Sequence, residues 1–468
     1  MLIAIASVSV ASVASVASAA RAHRAPSPAS WLAATRLRLP AANSSFVFDP
    51  AAYGGDPTGQ RDSTAAVQAA LDAAAAVTAP GSFIHNATNH GGATVDLRGG
   101  EFLVSAALWV RPGGGSRVCC GALRAAPSFP RDGFLLNVAS KDVIEDTTLE
   151  DLQLDCAQTG GGIHTSGALR VAVSRVYIHG FTTAGVRATQ GHETHITDSF
   201  LGQWWWHEDP STPQPHGTTT GTAILIDGQD HWISDVIIFS AAVGIEMEGG
   251  AAVLTNIHAY NGGGPSLLSY AHTIRAIGCY FDYNPVVLVD PVGVEIAHSL
   301  FLGAVGVELR SSGAAEAMVS GLQLTHNQFV VGGADPTGRF SVWVNESAGP
   351  FRFANDTRIT NNVHPPAMYG PSLGRSLASR ATEATLTRAL AASADADALE
   401  FELAPLLLFD CARFPLFRAE HSVLLPPTAD AALFPRTALR STGGCGVRVA
   451  SDVPLPPGTR VTVSAAQI

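Results

Sequence analysis

From about residue 147 to residue 303 the chain repeats one short pattern: an apolar alternation, a Gly-rich stretch and a turn of small residues. Four segments stand in register: Asp151-Leu-Gln-Leu-Asp155, Arg175-Val-Tyr-Ile-His179, Asp198-Ser-Phe-Leu-Gly202 and Asp235-Val-Ile-Ile-Phe239. Asn256-Ile-His-Ala-Tyr260, Cys279-Tyr-Phe-Asp-Tyr283 and Ser299-Leu-Phe-Leu-Gly303 continue them. Their first residues are 24, 23, 37, 21, 23 and 20 positions apart. The long step holds an insertion from Trp204-Trp-Trp206 through Gly217, and its flanks still match: Gly191-His-Glu-Thr-His-Ile-Thr-Asp198 against Gly228-Gln-Asp-His-Trp-Ile-Ser-Asp235. A period of this length, with several short strands per turn, predicts an all-β parallel β-helix. A leucine-rich repeat has a similar period, but its Leu/Asn consensus is absent. With 46 Gly and 28 Pro in 468 residues, the composition is dense in turns, as such a solenoid requires.

Side chains alternate along a strand, so the register assigns faces. The second and fourth positions form the expected core stack: Leu152/Leu154, Val176/Ile178, Ser199/Leu201, Val236/Ile238, Ile257/Ala259, Tyr280/Asp282 and Leu300/Leu302. Asp282 is the discordant member; either it is functional or the register slips by one there. The other positions point outward, among them Asp155, Tyr177, His179, Asp198, Phe200, Asp235, Phe239, His258, Tyr260, Cys279, Phe281 and Tyr283. Rings interspersed with carboxylates suit a groove for a sugar chain, in which apolar sugar faces pack on rings and hydroxyls meet charged acceptors. The competing reading is that another segment covers this face.

Hydrolysis of a glycosidic bond needs a protonated and an ionised carboxyl, ~5–5.5 Å apart for retention and ~6.5–9.5 Å for inversion. Neighbouring coils sit ~4.8 Å apart, so like positions one or two coils away fall in that range. Asp155, Glu193 and Asp235 are the candidate catalytic carboxylates, and His179, Asp198, Trp204, Trp205, His258, Tyr260, Asp282 and Tyr283 the candidate substrate contacts. For Asp198, Asp235 and Asn256 the alternative is a structural ladder at one turn position. The tryptophan insertion is either a wall over the sugar site or packing against the flank. No metal, nucleotide or other cofactor is expected: His192 and His195 lack a convergent third ligand, and the Gly-rich runs follow no strand–Gly–helix pattern.

The ends set the expected compartment. Residues 1–20 are an uncharged Ala/Val/Ser/Ile run ending in Ala17-Ser-Ala19, read as a secretion signal, and 21–46 are an Ala/Pro/Ser-rich linker. Residues 47–365 are the expected β-helix and 366–468 a β-rich extension or cap. Asp62 or Ser63 is expected to cap a helix whose inner face carries Val67, Ala70, Leu71 and Ala74, covering the solenoid's open end. Sequons at Asn43, Asn86, Asn345 and Asn355 fit a secretory route. Of six cysteines, Cys411 and Cys445 are candidates for a bridge, Cys119 and Cys120 are adjacent, and Cys156 and Cys279 read as buried thiols. A net charge of −11 argues against nucleic-acid binding, and no later segment is long and apolar enough for a membrane span.

The segments Phe48-Asp-Pro, Tyr53-Gly-Gly-Asp-Pro-Thr-Gly59 and Asp62-Ser-Thr-Ala-Ala-Val-Gln-Ala-Ala70 resemble the N-terminal hallmark of the pectate-lyase superfamily, its rhamnogalacturonase/epimerase-like group. Further on, Leu154-Asp-Cys156 with Gly161-Gly-Ile163, the stretches Gly191–Gln203 and Asp235–Ile245, and Tyr280-Phe-Asp-Tyr283 with Asp290-Pro-Val292 and Phe301-Leu-Gly303 are similar to the plant quartet-type polygalacturonases. The resemblance covers about residues 46–310, with a weaker likeness at Leu406-Leu-Leu-Phe409. It implies a right-handed, pectin-lyase-like β-helix and a secreted, monomeric cell-wall glycosidase that cleaves α-1,4 galacturonan by a metal-free, inverting mechanism. Other polygalacturonases carry Asn-Thr-Asp, Asp-Asp, Gly-His-Gly and Arg-Ile-Lys motifs that are absent here. The candidate residues therefore rest on the face argument together with the matching segments.

Two other functions stay open on this reading. A Ca²⁺-dependent pectate-type lyase would use Arg175, flanked by Asp151 and Asp198, as its base. A non-catalytic, glycan-binding wall protein would explain the missing motifs. A polyanionic substrate needs local positive charge, for which Arg175, Arg187, His179 and His258 are the candidates.

Overall fold

The computed structural model describes residues 46–77, 92–111, 115–204, 219–260, 262–303, 306–330, 341–363, 382–391, 396–429 and 435–467. Expectations for residues 1–45, for Asn43 and Asn86, and for Trp205 lie outside them. Strands stack in parallel, coil upon coil, into a nineteen-stranded sheet and a ten-stranded sheet, with a further parallel pair. One continuous apolar cluster fills the space between them, from Val67 to Phe414. The expected parallel β-helix is what the chain forms.

Helix Thr64–Val77 closes the first coils. Its Val67, Ala70, Leu71 and Ala74 are buried in that cluster, as the sequence pattern requires. Both expected capping residues act: the Asp62 carboxylate accepts from the Thr64 N–H at 3.0 Å, while the Ser63 carbonyl accepts the first helical bond, from the Val67 N–H.

The large sheet bends once within each coil, and the residue at the bend is left-handed. Asp151, Arg175, Asp198, Asp235, Asn256, Gly278, His298 and His326 all take φ between 48 and 66°. Asp, Asn and Gly tolerate that region best, because a short polar side chain or none relieves the clash with the backbone. A second left-handed column, Asp146, Arg170, Glu193, Asp230, Ala251 and Thr273, begins the same strands.

Gly278 at the bend corrects the expected register. Tyr280 pairs with His258, Phe281 with Ala259 and Asp282 with Tyr260, one residue away from the sequence alignment. The slip carries into the next coil, where Phe301 pairs with Phe281. Cys279 and Phe281 are therefore buried, not outward, and Tyr280 and Leu300 point outward, not into the core. Phe281, Phe301 and Phe329 stack inside with centroids 5.2 and 4.6 Å apart. A one-residue shift exchanges the two faces of a strand, and burying three rings outweighs burying a tyrosine and a carboxylate.

After the last coil, two three-stranded antiparallel sheets form the β-rich extension: Glu383–Ala389, Arg418–Leu424 and Arg460–Ala466 in one, Ala396–Glu402, Thr437–Gly443 and Gly446–Leu455 in the other. They enclose a second core around Phe401, Leu403, Val447 and Val461. Cys411 and Cys445 are bridged, as are Cys119 and Cys120, while Cys156 and Cys279 are buried thiols. Leu408, Phe409 and Phe414 from the extension join the main core, and Arg413 pairs with Glu346 on the β-helix. Among the described residues no helix is long and apolar enough to cross a membrane.

Candidate active-site face

The outward row after the bend runs, coil by coil, through Arg124, Asp155, His179, Gly202, Phe239, Tyr260, Asp282 and Leu302. A parallel row two residues earlier holds Gln153, Tyr177, Phe200, Ile237, His258, Tyr280 and Leu300. Extended backbone imposes no residue type at these positions, so their aromatic and ionisable character calls for another cause.

At one end of the face, His179 Nε2 lies 3.5 Å from Asp155 Oδ1, which also accepts from the Ala157 N–H at 2.8 Å. His179 is buried and meets Tyr177 edge-on, and Tyr177 stacks on Phe200 with centroids 4.5 Å apart and rings 8° from parallel. Arg124, which sequence reasoning passed over, occupies the row beside Asp155 and is held by Glu101 and by the Gly59 carbonyl.

Further along, His258 Nε2 lies 3.4 Å from Asp282 Oδ2. The imidazole stacks on Tyr280 at 4.5 Å and on Tyr260 at 4.6 Å, and Tyr260 in turn meets Phe239 at 4.9 Å. Asp282 is only 8% exposed, and burial pushes its carboxyl above the usual carboxylate range against the opposing pull of His258. Burial also raises the Tyr177 and Tyr260 phenols. Tyr283 follows in a left-handed turn and is 60% exposed at the rim. Tyr280 was hidden from sequence reasoning by the register slip; the left-handed preference of Gly278 was the signal that could have found it.

The three expected catalytic carboxylates do not converge. Asp155 stands on the face, but Asp235 is a bend residue whose Oδ1 accepts from Asn256 Nδ2 at 3.0 Å, the ladder arrangement. Asp198 is the equivalent bend residue one coil earlier. Glu193 belongs to the other left-handed column, at the start of its strand, with Arg170 Nη1 3.9 Å away. Asp155 and Asp282 share a row five coils apart, or ~24 Å at ~4.8 Å per coil, far beyond the span of one scissile bond. Trp204 is half-buried, and its backbone N–H donates to Ser240 Oγ at 3.3 Å.

Arg175 is not placed to act as a lyase base. Its guanidinium donates to Asp151 at 2.7 Å and to Glu150 at 2.6 Å, and those carboxylates hold it protonated by raising its pKa further. Arg187 lies on the ten-stranded sheet, so of the four expected basic groups only His179 and His258 belong to the face.

No family model matches the chain. In sequence it is 33% identical over 298 residues to Polygalacturonase QRT3 of Arabidopsis thaliana, covering 60% of this chain and 61% of that protein. The chain thus matches less than two thirds of that relative's length. Among solved structures, ORF18 of Geobacillus virus E2 superposes with a TM-score of 0.51 at 9% identity, over 88% of this chain and 78% of that one. The A-module of the Azotobacter vinelandii mannuronan C-5 epimerase AlgE6 superposes with a TM-score of 0.41 at 14% identity, over 69% of this chain and 96% of that one. The resemblance carried by the motifs, to the quartet-type polygalacturonases of the pectate-lyase superfamily, is borne out.

Proposed function

We propose that the chain is a secreted glycoside hydrolase of polygalacturonase type, acting as a monomer on an acidic, pectin-like cell-wall polysaccharide laid along the outward face. The observation that carries this reading is the pair of carboxylate–imidazole sites, Asp155–His179 and His258–Asp282, set among stacked aromatic rings on the two adjoining rows of one face. The rings offer flat surfaces to the sugars, and the histidines offer protonatable partners to uronate groups. Asp282 is the proposed proton donor to the leaving oxygen, because burial favours its neutral form. Asp155 and His179, several coils away, then bind a remote sugar unit rather than the bond being cut. Tyr260 and Tyr283 flank the donor, while Asp198 and Asp235 shape the bends that support the face and Glu193 a strand start. Likeness to Polygalacturonase QRT3 supports the choice of substrate class.

A second reading, binding without cleavage, is favoured by one observation. The outward positions around Asp282 are Ile237, Phe239, His258, Tyr260, Tyr280, Leu300 and Leu302, none of them the second carboxylate that hydrolysis uses. Incubation with polygalacturonate, with and without chelator, separates the outcomes. New reducing ends, without the ultraviolet absorbance of unsaturated uronides and indifferent to chelator, support the hydrolase. Chelator-sensitive absorbance supports a lyase, and retention of the polymer without cleavage supports the second reading.

A further inference from the structure

A polar pocket of about 360 Å³ lies where the last coils of the β-helix meet the first sheet of the extension. Gln323, Asp356 and Arg358 line it from the coils, and Glu383, Phe417 and Arg418 from the extension. Its volume falls within the ~300–1,000 Å³ common for small-molecule sites. None of these residues belongs to the outward face described above.

Three features of the lining call for a ligand. Phe417, at 71%, is the most exposed large apolar side chain among the described residues, and it offers its ring to the pocket it lines. Arg358 has no ion pair among the described residues. Arg418 approaches Glu383 to only 3.9 Å and Glu420 to only 3.8 Å, beyond hydrogen-bond reach, so its guanidinium donors remain open. Two guanidinium forks suit a carboxylate. A bare anion would gain nothing from Phe417 and would be repelled by Asp356 and Glu383. A pyranose carrying a carboxylate uses all of them: its carboxylate meets the arginines, its hydroxyls donate to Asp356 and Glu383, and its apolar face covers Phe417.

We propose that this pocket is a second saccharide site, taking one uronic-acid unit. The inference deepens the proposed function and rests on that reading for the identity of the polymer, while the site itself rests on its own lining. It would hold the chain of an acidic polysaccharide at the far end of the molecule while the face works on another stretch.

The test is equilibrium titration of the full chain with trigalacturonate, the matching uncharged galactose oligomer and inorganic phosphate. The expected result is an arginine-dependent site that binds trigalacturonate and is lost in R358Q/R418Q. F417A, which alters only an exposed ring, should weaken the same site at least tenfold. Cleavage of short oligomers should be unchanged in both variants. Unaltered stoichiometry and affinity in both variants would overturn the proposal, as would phosphate binding as tightly as trigalacturonate. H258A/Y260A separates the two ideas: if the face does not bind uronate, that variant changes nothing, and the Arg358/Arg418 site is still read independently.

Discussion

Carboxylates occur in two settings in this molecule, and only one of them invites a chemical role. Asp198 and Asp235 stand at left-handed bends, where the backbone favours short polar residues, and Glu193 at a left-handed strand start, while Asp235 spends its side chain on Asn256. Asp155 and Asp282 stand on extended strand, where the backbone asks for nothing, and each is placed against a histidine. An outward carboxylate at a positive-φ position therefore reads as architecture, whereas one on extended strand needs another reason to be there. In a solenoid the distinction matters, because both kinds of position recur at the same period.

The sharpest way to break this contrast is to neutralise one carboxylate of each kind. Asp282→Asn should lower the rate of reducing-end release by about 10²–10⁴-fold, the usual contribution of a general acid. Asp235→Asn should leave that rate within twofold, since asparagine suits the bend equally well. Equal losses in both would dissolve the comparison.

The register itself is open to a stability measurement. Phe281→Ala should cost about 3–5 kcal/mol in urea unfolding, as a buried ring does, whereas Tyr280→Ala on the outward side should cost clearly less. The reverse order would restore the alignment read from sequence. At the bend, Asp235→Val should cost about 1–2 kcal/mol, because a β-branched residue resists the left-handed region.

The smallest expected effect is on pH dependence. The native pKa of Asp282 lies above its ordinary value, so the folded state favours the proton. Its contribution to stability is then present at low pH and declines as pH rises from about 4, the ordinary carboxyl range, through the raised native value. Urea midpoints of the parent chain should show that decline, and those of Asp282→Asn should lack it. Parallel curves would mean that His258 offsets the burial in full.

Much of the fold was legible in local pattern. The helix face Val67, Ala70, Leu71 and Ala74 and the strand alternation through Tyr260 stand as read, because periods of 3.6 and 2 are properties of short segments. The alignment failed at Gly278 for an equally physical reason. Asp, Asn, Gly, His and Arg all serve at the bend here, so no single residue type marks it, and the sequence alignment puts Cys279 first in its repeat. The candidate site suffered most, since Asp235 and Glu193 fitted the face by spacing alone, and spacing carries no record of φ.

By itself, then, the sequence determined a solenoid with a helical cap and a row of rings and carboxylates facing outward, since repetition and alternation are written residue by residue. Tertiary structure decided which carboxylates meet a histidine, that Arg175 is consumed by Glu150 and Asp151, and that Arg358 and Arg418, sixty positions apart, share one pocket with Phe417. Those choices depend on which coil lies against which, and that follows from the summed burial of the whole stack rather than from any one segment.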